Sequence, residues 1–213
     1  MLKSDYASAS LSQEAGLGME CRQYSRKKRK MELSDKAKSV VDFFESNGLP
    51  YHLVQHPPLF TIEEGLAFWN SLDELKGCTH CKNLFLRNHS GKRHYLVTME
   101  SHKTLDFTRL QDVIREGKLS FASPERMERC LGLLPGSVSP LGLIHDMDLS
   151  GAPQRELFPN GHRVKFFVDS DLYDAAQMTF HPCDNTASMA ITHDTFLRFL
   201  QLWGGEVEWR SDL

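Results

Sequence analysis

The chain has 213 residues, 40% of them hydrophobic, and a globule of this size buries roughly 70% of its unfolded surface around one core, so one domain suffices. No apolar run reaches the ~20 residues that cross a bilayer, and the N-terminus lacks a signal-peptide core, so the expectation is a cytoplasmic protein with no membrane partner. The net charge of −3 is uneven: residues 1–32 hold seven Lys or Arg against four Asp or Glu, and the other 181 hold 18 against 24. A body with six surplus negative charges argues against a protein that grips long stretches of phosphate backbone.

Residues 1–31 are rich in Ser, Gly and Ala and end in Arg26-Lys27-Lys28-Arg29-Lys30 before Met31. They read as a disordered basic extension ahead of a folded domain over 32–213, the alternative being a basic arm that touches nucleic acid. Ser34 is placed to cap a helix whose apolar face is Val40, Val41, Phe43 and Phe44 and which stops at Gly48. A short strand at 51–54 precedes the stiff turn His56-Pro57-Pro58. Thr61, with Glu64 three residues on, forms a capping-box pattern for a helix to about Asn70.

Residues 82–86 and 94–99 flank the turn residues Asn88-His89-Ser90-Gly91-Lys92 and predict a hairpin. Strand alternation puts Lys82 on the face of Leu84 and Leu86, with Asn83 and Phe85 on the other. Helices are predicted over 107–116, ended by Gly117, and over 124–132, begun by Ser123-Pro124, with a strand at 119–122 between them. Strands fit 141–145, 164–169, 178–181 and 187–192, and a last helix over 194–203 ends at Gly204-Gly205. Strands and helices without a regular βαβ alternation predict an α+β fold: a single compact domain with a central mixed, mainly antiparallel sheet flanked by helices.

Three segments have the makings of a site. The loop Gly136-Ser137-Val138-Ser139-Pro140-Leu141-Gly142 combines glycine, which allows close backbone approach, with proline, which holds shape. It is either a plain turn or a presenter of backbone N–H groups to a ligand. His181-Pro182-Cys183-Asp184-Asn185-Thr186-Ala187 places a histidine at a strand end, either as a structural residue or as one that orients a substrate and relays a proton. Lys82 in Cys81-Lys82-Asn83-Leu84-Phe85-Leu86 either reaches into a polar cavity or lies at the sheet rim. Cys78-Thr79-His80-Cys81 has the spacing of half a zinc knuckle, but no second C-x-x-C completes it and no metal is expected. Five cysteines without scaffold spacing read as reduced thiols. The nucleophile elbow, P-loop, dinucleotide fingerprint and H-E-x-x-H motifs are all missing from the sequence, which leaves a pocket without an obvious nucleophile.

These three segments, with His56-Pro57-Pro58 and Thr61, resemble the free-standing editing domains related to the insertion domain of bacterial prolyl-tRNA synthetase, over most of the chain from about Leu33. The resemblance implies trans hydrolysis of the ester in a mischarged tRNA, alanyl-tRNA(Pro) first, without metal or organic cofactor. Deacylation of another small amino acid such as Cys or Ser, or a non-catalytic tRNA- or synthetase-binding role, are the alternatives. The implied partners are the tRNA(Pro) acceptor end and prolyl-tRNA synthetase, with Lys82, Arg87, Lys92, Arg93 and Lys103 as local positive charge. Lys82, Gly136, Ser137 and His181 are implied as catalytic, and Asn83, Val138, Ser139, Pro140, Thr61, Asp184 and Asn185 as substrate-binding. The family's function for Lys82 and Asn83 together conflicts with strand alternation unless a bulge intervenes. The stretch between Asp148 and Gly161 is longer than the resemblance predicts, a surface loop or a flap.

Overall fold

The computed structural model describes residues 32–59 and 61–213; the expected N-terminal extension lies outside them. Helix α1 (Asp35–Ser46) opens on Ser34, whose hydroxyl accepts the Ala37 amide at 3.2 Å. Its buried stripe, Ala37, Val40 and Phe44, has the i, i+3, i+4 spacing of one helical face. Strand β1 (His52–Gln55) leads to α2 (Ile62–Asn70), where the capping box forms in both directions: Thr61 Oγ1 accepts the Glu64 amide at 3.1 Å, and the Glu64 carboxylate accepts the Thr61 amide at 3.3 Å. There follow β2 (Thr79–Asn88), β3 (His94–Glu100), α3 (Phe107–Ile114), β4 (Leu119–Phe121) and α4 (Pro124–Leu131). The chain closes with β5 (Val164–Asp169), β6 (Gln177–Phe180), β7 (Ala187–Thr192), α5 (His193–Trp203) and β8 (Val207–Arg210).

Among the described residues the strands join in the order β1-β7-β6-β2-β3-β5-β8, with β4 added to β2. The β1/β7, β2/β3, β2/β4 and β6/β7 pairs are antiparallel, and β2/β6, β3/β5 and β5/β8 are parallel. This is the expected α+β architecture with a mixed, mainly antiparallel sheet. Strand β2 organises it. Its first residues, Thr79 and His80, pair with β6 and its last, Leu86 to Asn88, with β4. Between those contacts Cys81, Lys82, Asn83 and Leu84 are laddered only to β3, which leaves one edge of β2 open in the middle of the sheet.

The ladder to β3 runs unbroken from Cys81 opposite Glu100 to Arg87 opposite His94, so the anticipated bulge is absent. Alternation holds, but both faces of β2 are covered. Phe85 joins the main core, against which Cys81 packs, while Leu86 and Leu84 join a smaller cluster with Tyr95 and Phe167. The main core ties helices to sheet: Phe44 of α1 stacks on Phe199 of α5 at 5.7 Å, and Phe196 stacks on Phe180 of β6 at 5.4 Å. Each fully buried aromatic of this kind contributes about 1.5–3 kcal/mol.

Three expectations need correction. Residues 141–145 are not a strand; Pro140–Asp146 is a 3-10 helix, started by Pro140 and capped by Ser139, whose hydroxyl accepts the Leu141 amide at 3.2 Å. Helix α3 stops at Arg115, itself left-handed at φ 56°, two residues before Gly117. Strand β8 was not anticipated, and it is held on β5 partly by Lys165, which pairs with Glu206 and Glu208.

Buried histidines give the fold an acid limit. His94 is fully buried, stacked on Phe85 at 5.7 Å, with the Arg126 guanidinium donating to its Nε2 at 3.0 Å. Burial, then the charge of Arg126 and neighbouring arginines, pushes its pKa down to about 3. Burial lowers His56, His80, His145 and His181 as well. Each folded pKa lies below the unfolded value of about 6.5, so the unfolded state takes up protons first. Their stabilisation is complete above that value and is lost as pH falls. The melting temperature is expected to drop between pH 7 and pH 5, and His94→Gln to flatten that slope; a slope unchanged in the variant would remove His94 as a cause.

Candidate functional site

The open edge of β2 is one wall of a cavity of about 260 Å³. Cys81, Lys82 and Asn83 form that wall, Gly136 and Val138 a second, and His181 closes a third side at the end of β6. Leu59, Thr61, Gly65 and Trp69 complete it from α2 and the turn before it. Because the cavity lies along the strand's edge, Lys82 and Asn83 both reach it without a bulge.

The loop between α4 and the 3-10 helix is held to the sheet by Asn83. Its Nδ2 donates to the Val138 carbonyl at 3.1 Å, and its Oδ1 accepts from the buried Thr98 hydroxyl at 2.6 Å, which fixes which way the amide points. Gly136 stands at φ 86°, a left-handed conformation that glycine adopts without strain. Among the described residues no acceptor pairs with the amides of Gly136 or Val138. Two unspent N–H groups on a loop fixed from behind are what an oxyanion site requires.

The serines of this loop have another task. Ser137 is buried, its hydroxyl donating to the Leu134 carbonyl at 2.8 Å and accepting the Leu134 amide at 3.3 Å. Ser139 is spent on the cap described above, and Pro140 is buried at the start of the 3-10 helix. None of the three lines the cavity. Ser137, expected as catalytic, and Ser139 and Pro140, expected to bind substrate, stand behind the cavity wall and shape the loop from inside.

Asn83, expected to bind substrate, lines the cavity with its amide engaged at both ends, to Val138 of the loop and Thr98 of β3. Asp184 and Asn185 line a separate depression with Ser34, Lys36 and Ser137 rather than the cavity. Burial works against the charge of Asp184, yet hydrogen bonds from Ser34 and Thr186 hold its carboxyl below the usual range. Its oxygen accepts the Thr186 amide at 2.8 Å and hydroxyl at 2.7 Å, so Asp184 shapes the turn that presents His181. In that turn Cys183 adopts φ 61° with its thiol buried and its pKa pushed up to about 12, which makes it inert.

His181 Nδ1 donates to the Ala187 carbonyl at 2.9 Å, so the ring's remaining lone pair is on Nε2. Burial, the largest influence, and the neighbouring His56 lower its pKa, which keeps the ring neutral near pH 7. Lys82 has no carboxylate partner among the described residues, and partial burial lowers its pKa as well. Thr61 lines the cavity while its hydroxyl oxygen caps α2.

Most of the other expected cations are occupied. Lys103 is bound by Asp169 and Asp171, Arg93 donates to the Leu157 and Arg155 carbonyls, and Arg87 donates to those of Asn88 and His89. The contacts of Arg93, together with buried Phe158 and the Arg129–Glu156 ion pair, pin the 148–161 segment down, and none of its residues lines the cavity. Cys78 and Cys81 are free thiols; Cys78 donates to Gln177 at 3.3 Å, and no metal-holding group of three or more His, Cys, Asp or Glu occurs among the described residues.

On the α2 side of the cavity, sequence reasoning named Thr61 but missed Gly65 and Trp69. Trp69 reads as an ordinary core residue of an amphipathic helix, and the one local signal was Gly65, four residues earlier on the same face. His56 was noticed as part of a turn and of the family resemblance, without a role of its own.

The fold and cavity define an α+β domain with a small cavity at the open edge of its central strand. The sequence profile of the aminoacyl-tRNA editing domain matches residues 56–199. The prolyl-tRNA editing protein ProX of Acetoanaerobium sticklandii is 30% identical over 170 residues, 80% of this chain and 93% of that protein. Prolyl-tRNA synthetase associated domain-containing protein 1 of Mus musculus is 31% identical over 156 residues, 71% of this chain and 82% of that one. A solved structure described as a candidate trans-editing enzyme for prolyl tRNA synthetase shares the fold at a TM-score of 0.57 and 20% identity, covering 84% of this chain and 98% of its own. The chain belongs to the aminoacyl-tRNA editing domain family.

Proposed function

We propose that the protein is an aminoacyl-tRNA deacylase that edits mischarged tRNA(Pro) in trans, with alanyl-tRNA(Pro) as its substrate and the acceptor end of the tRNA as the part it holds. The observation that carries this reading is the pair of unspent amides at Gly136 and Val138, fixed by Asn83 at the wall of the cavity. At about 260 Å³ the cavity falls below the roughly 300–1,000 Å³ of ordinary ligand pockets, a scale suited to an aminoacyl end and not to a nucleic-acid groove. Similarity to a prolyl-tRNA editing protein and to a prolyl-tRNA synthetase associated protein supports the choice of tRNA and makes the synthetase a candidate partner.

In this mechanism water adds to the ester carbonyl carbon, and the oxygen that becomes negative is received by the Gly136 and Val138 amides. A hydroxyl of the terminal ribose and the lone pair of His181 Nε2 direct the water. The proton it loses passes to the departing ribose oxygen, releasing the amino acid and a free tRNA end. Lys82 holds phosphate or ribose beside the reacting ester. An activated ester needs less assistance than an amide, which is consistent with a site whose one thiol, Cys81, is kept protonated by burial.

His181→Gln is expected to lower the rate about 10²-fold, the lower end of general acid–base contributions. The wild-type rate should hold steady down to the ordinary imidazole value of about 6.5 and fall only below it, because burial depresses the His181 pKa. A pH–rate profile in which the variant keeps the wild-type acid limb would take His181 out of the chemistry.

The deciding experiment follows amino acid release from alanyl-, prolyl- and cysteinyl-tRNA(Pro) by purified protein with a chelator present. Loss of alanine with proline retained supports the reading, loss of cysteine alone moves the substrate, and loss of none overturns it. Glycyl-tRNA(Pro) belongs beside them. One missing methyl gives only ~1–3 kcal/mol of discrimination, so a steric sieve leaks onto glycine.

A further inference from the structure

The side of the cavity supplied by α2 is built around one indole. Trp69 lies in the last turn of α2, 9% exposed, and lines the cavity together with Gly65. A Cβ on Gly65 would stand 2.7 Å from Trp69 Cη2 and 2.8 Å from Cζ3, so the ring occupies the space a side chain at 65 would need. Its position is fixed on its other sides too. One face stacks on His80 at 4.4 Å and 13°, and the Nε1–H donates to Ser188 Oγ at 2.9 Å.

That hydrogen bond belongs to a chain with a single sense. Ser188 is buried on β7, and its hydroxyl, having accepted from Trp69, donates to His56 Nε2 at 2.9 Å. His56 accepts there only in the tautomer with its proton on Nδ1, and that proton goes to the Pro57 carbonyl at 2.8 Å. The indole N–H, the Ser188 hydroxyl and the His56 Nδ1–H each have an acceptor, so the run of bonds is complete. A network of this kind, linking α2, β7 and the His56-Pro57-Pro58 turn, is more than core packing at Trp69 would need.

We infer that Trp69 is the specificity-determining wall of the editing cavity, the surface that stops side chains larger than the substrate's, and that Ser188 and His56 are positioning residues for it. The inference rests on the deacylase reading and adds which residue performs the sieving. A rigid aromatic plane held on three sides discriminates by size, because it can yield to a larger ligand only by breaking the Ser188 bond or leaving His80. The retained proline ring is the larger ligand that matters.

The test compares kcat/KM for alanyl-tRNA(Pro) and prolyl-tRNA(Pro) in the wild type, Trp69→Ala, Trp69→Phe and Ser188→Ala, with circular dichroism and thermal melts to establish folding. The alanyl-to-prolyl ratio is expected to fall about 10–200-fold in Trp69→Ala, the range for adding or removing a small group's worth of pocket. Ser188→Ala, which breaks only the hydrogen bond to the indole, and Trp69→Phe, which breaks it and trims the ring but keeps an aromatic plane, should lower it in the same direction by less. A folded Trp69→Ala with the wild-type ratio overturns the inference; if that variant does not fold, wild-type ratios in both of the milder variants do so. A general loosening of the fold would slow both esters together and leave the ratio alone. Wild-type protein inactive on both esters sinks the deacylase reading itself, a result distinct from an active enzyme whose ratio the variants do not move.

Discussion

Replacing Lys82 by alanine is expected to lower kcat/KM for deacylation by about 10²-fold or more, the scale of removing one group that meets charge developing in a transition state. The argument starts from what Lys82 lacks. Lys103, Lys165 and Lys36 each have a carboxylate at hand, whereas no carboxylate pairs with Lys82 among the described residues. Burial already works against its charge. A partly desolvated ammonium at a cavity wall gains more from an anionic partner than a surface lysine does, because the local dielectric is lower. The substrate carries such partners: the terminal phosphate, and the oxyanion as it forms. Which of these Lys82 serves is decided by the split between constants. A rise in KM at constant kcat means that it holds the phosphate equally throughout, and a fall in kcat means that it acts on the developing charge. Near-normal kcat/KM in Lys82→Ala would remove it from the mechanism altogether.

How much of this was readable in advance depended on how local each signal is. Ser34 and the Thr61–Glu64 box bond within three residues of themselves, and both were recognised correctly. The β2–β3 hairpin is likewise a matter of near neighbours and turn chemistry. Residues 141–145 were misassigned because Leu141, Leu143 and Ile144 fit a strand or a helical turn equally well, and the decision came from Ser139 and Pro140 at the start. Strand β8 depends on a lysine of β5 to neutralise its Glu208 and the Glu206 just before it, a partner that periodicity does not reveal. The same distinction runs through the site. Lys82, Gly136, Val138 and His181 all line the cavity. Ser137, Ser139 and Asp184 read as ligand donors because they are small polar residues beside a glycine or histidine, whereas their hydrogen bonds go to their own turns, and Asn185 lines a separate depression. Trp69 was undervalued because the partner that fixes it, Ser188, lies 119 residues away.

Asn83→Asp should be more damaging than Asn83→Ala, although aspartate is the closer match in shape. The native amide faces two ways: Oδ1 accepts from Thr98 at 2.6 Å, and Nδ2 donates to the Val138 carbonyl at 3.1 Å. Alanine removes both bonds. It should cost the loop about 0.5–1.5 kcal/mol of anchoring, and so up to about tenfold in rate. Aspartate keeps the Thr98 bond and therefore keeps its orientation, which aims a carboxylate oxygen at the carbonyl it should be holding. Two acceptors at that separation repel, the loop retreats, and the Gly136 and Val138 amides leave their positions. The same carboxylate places a negative charge beside the point where the oxyanion forms, and it offers Lys82 a partner within the cavity wall. The expected loss in kcat is about 10²–10³-fold, the cost of removing an oxyanion donor, with a melting temperature no lower than that of Asn83→Ala. Equal activity in the two variants would mean that repulsion at Val138 is unimportant, and wild-type activity in both would mean that the loop holds its shape without Asn83.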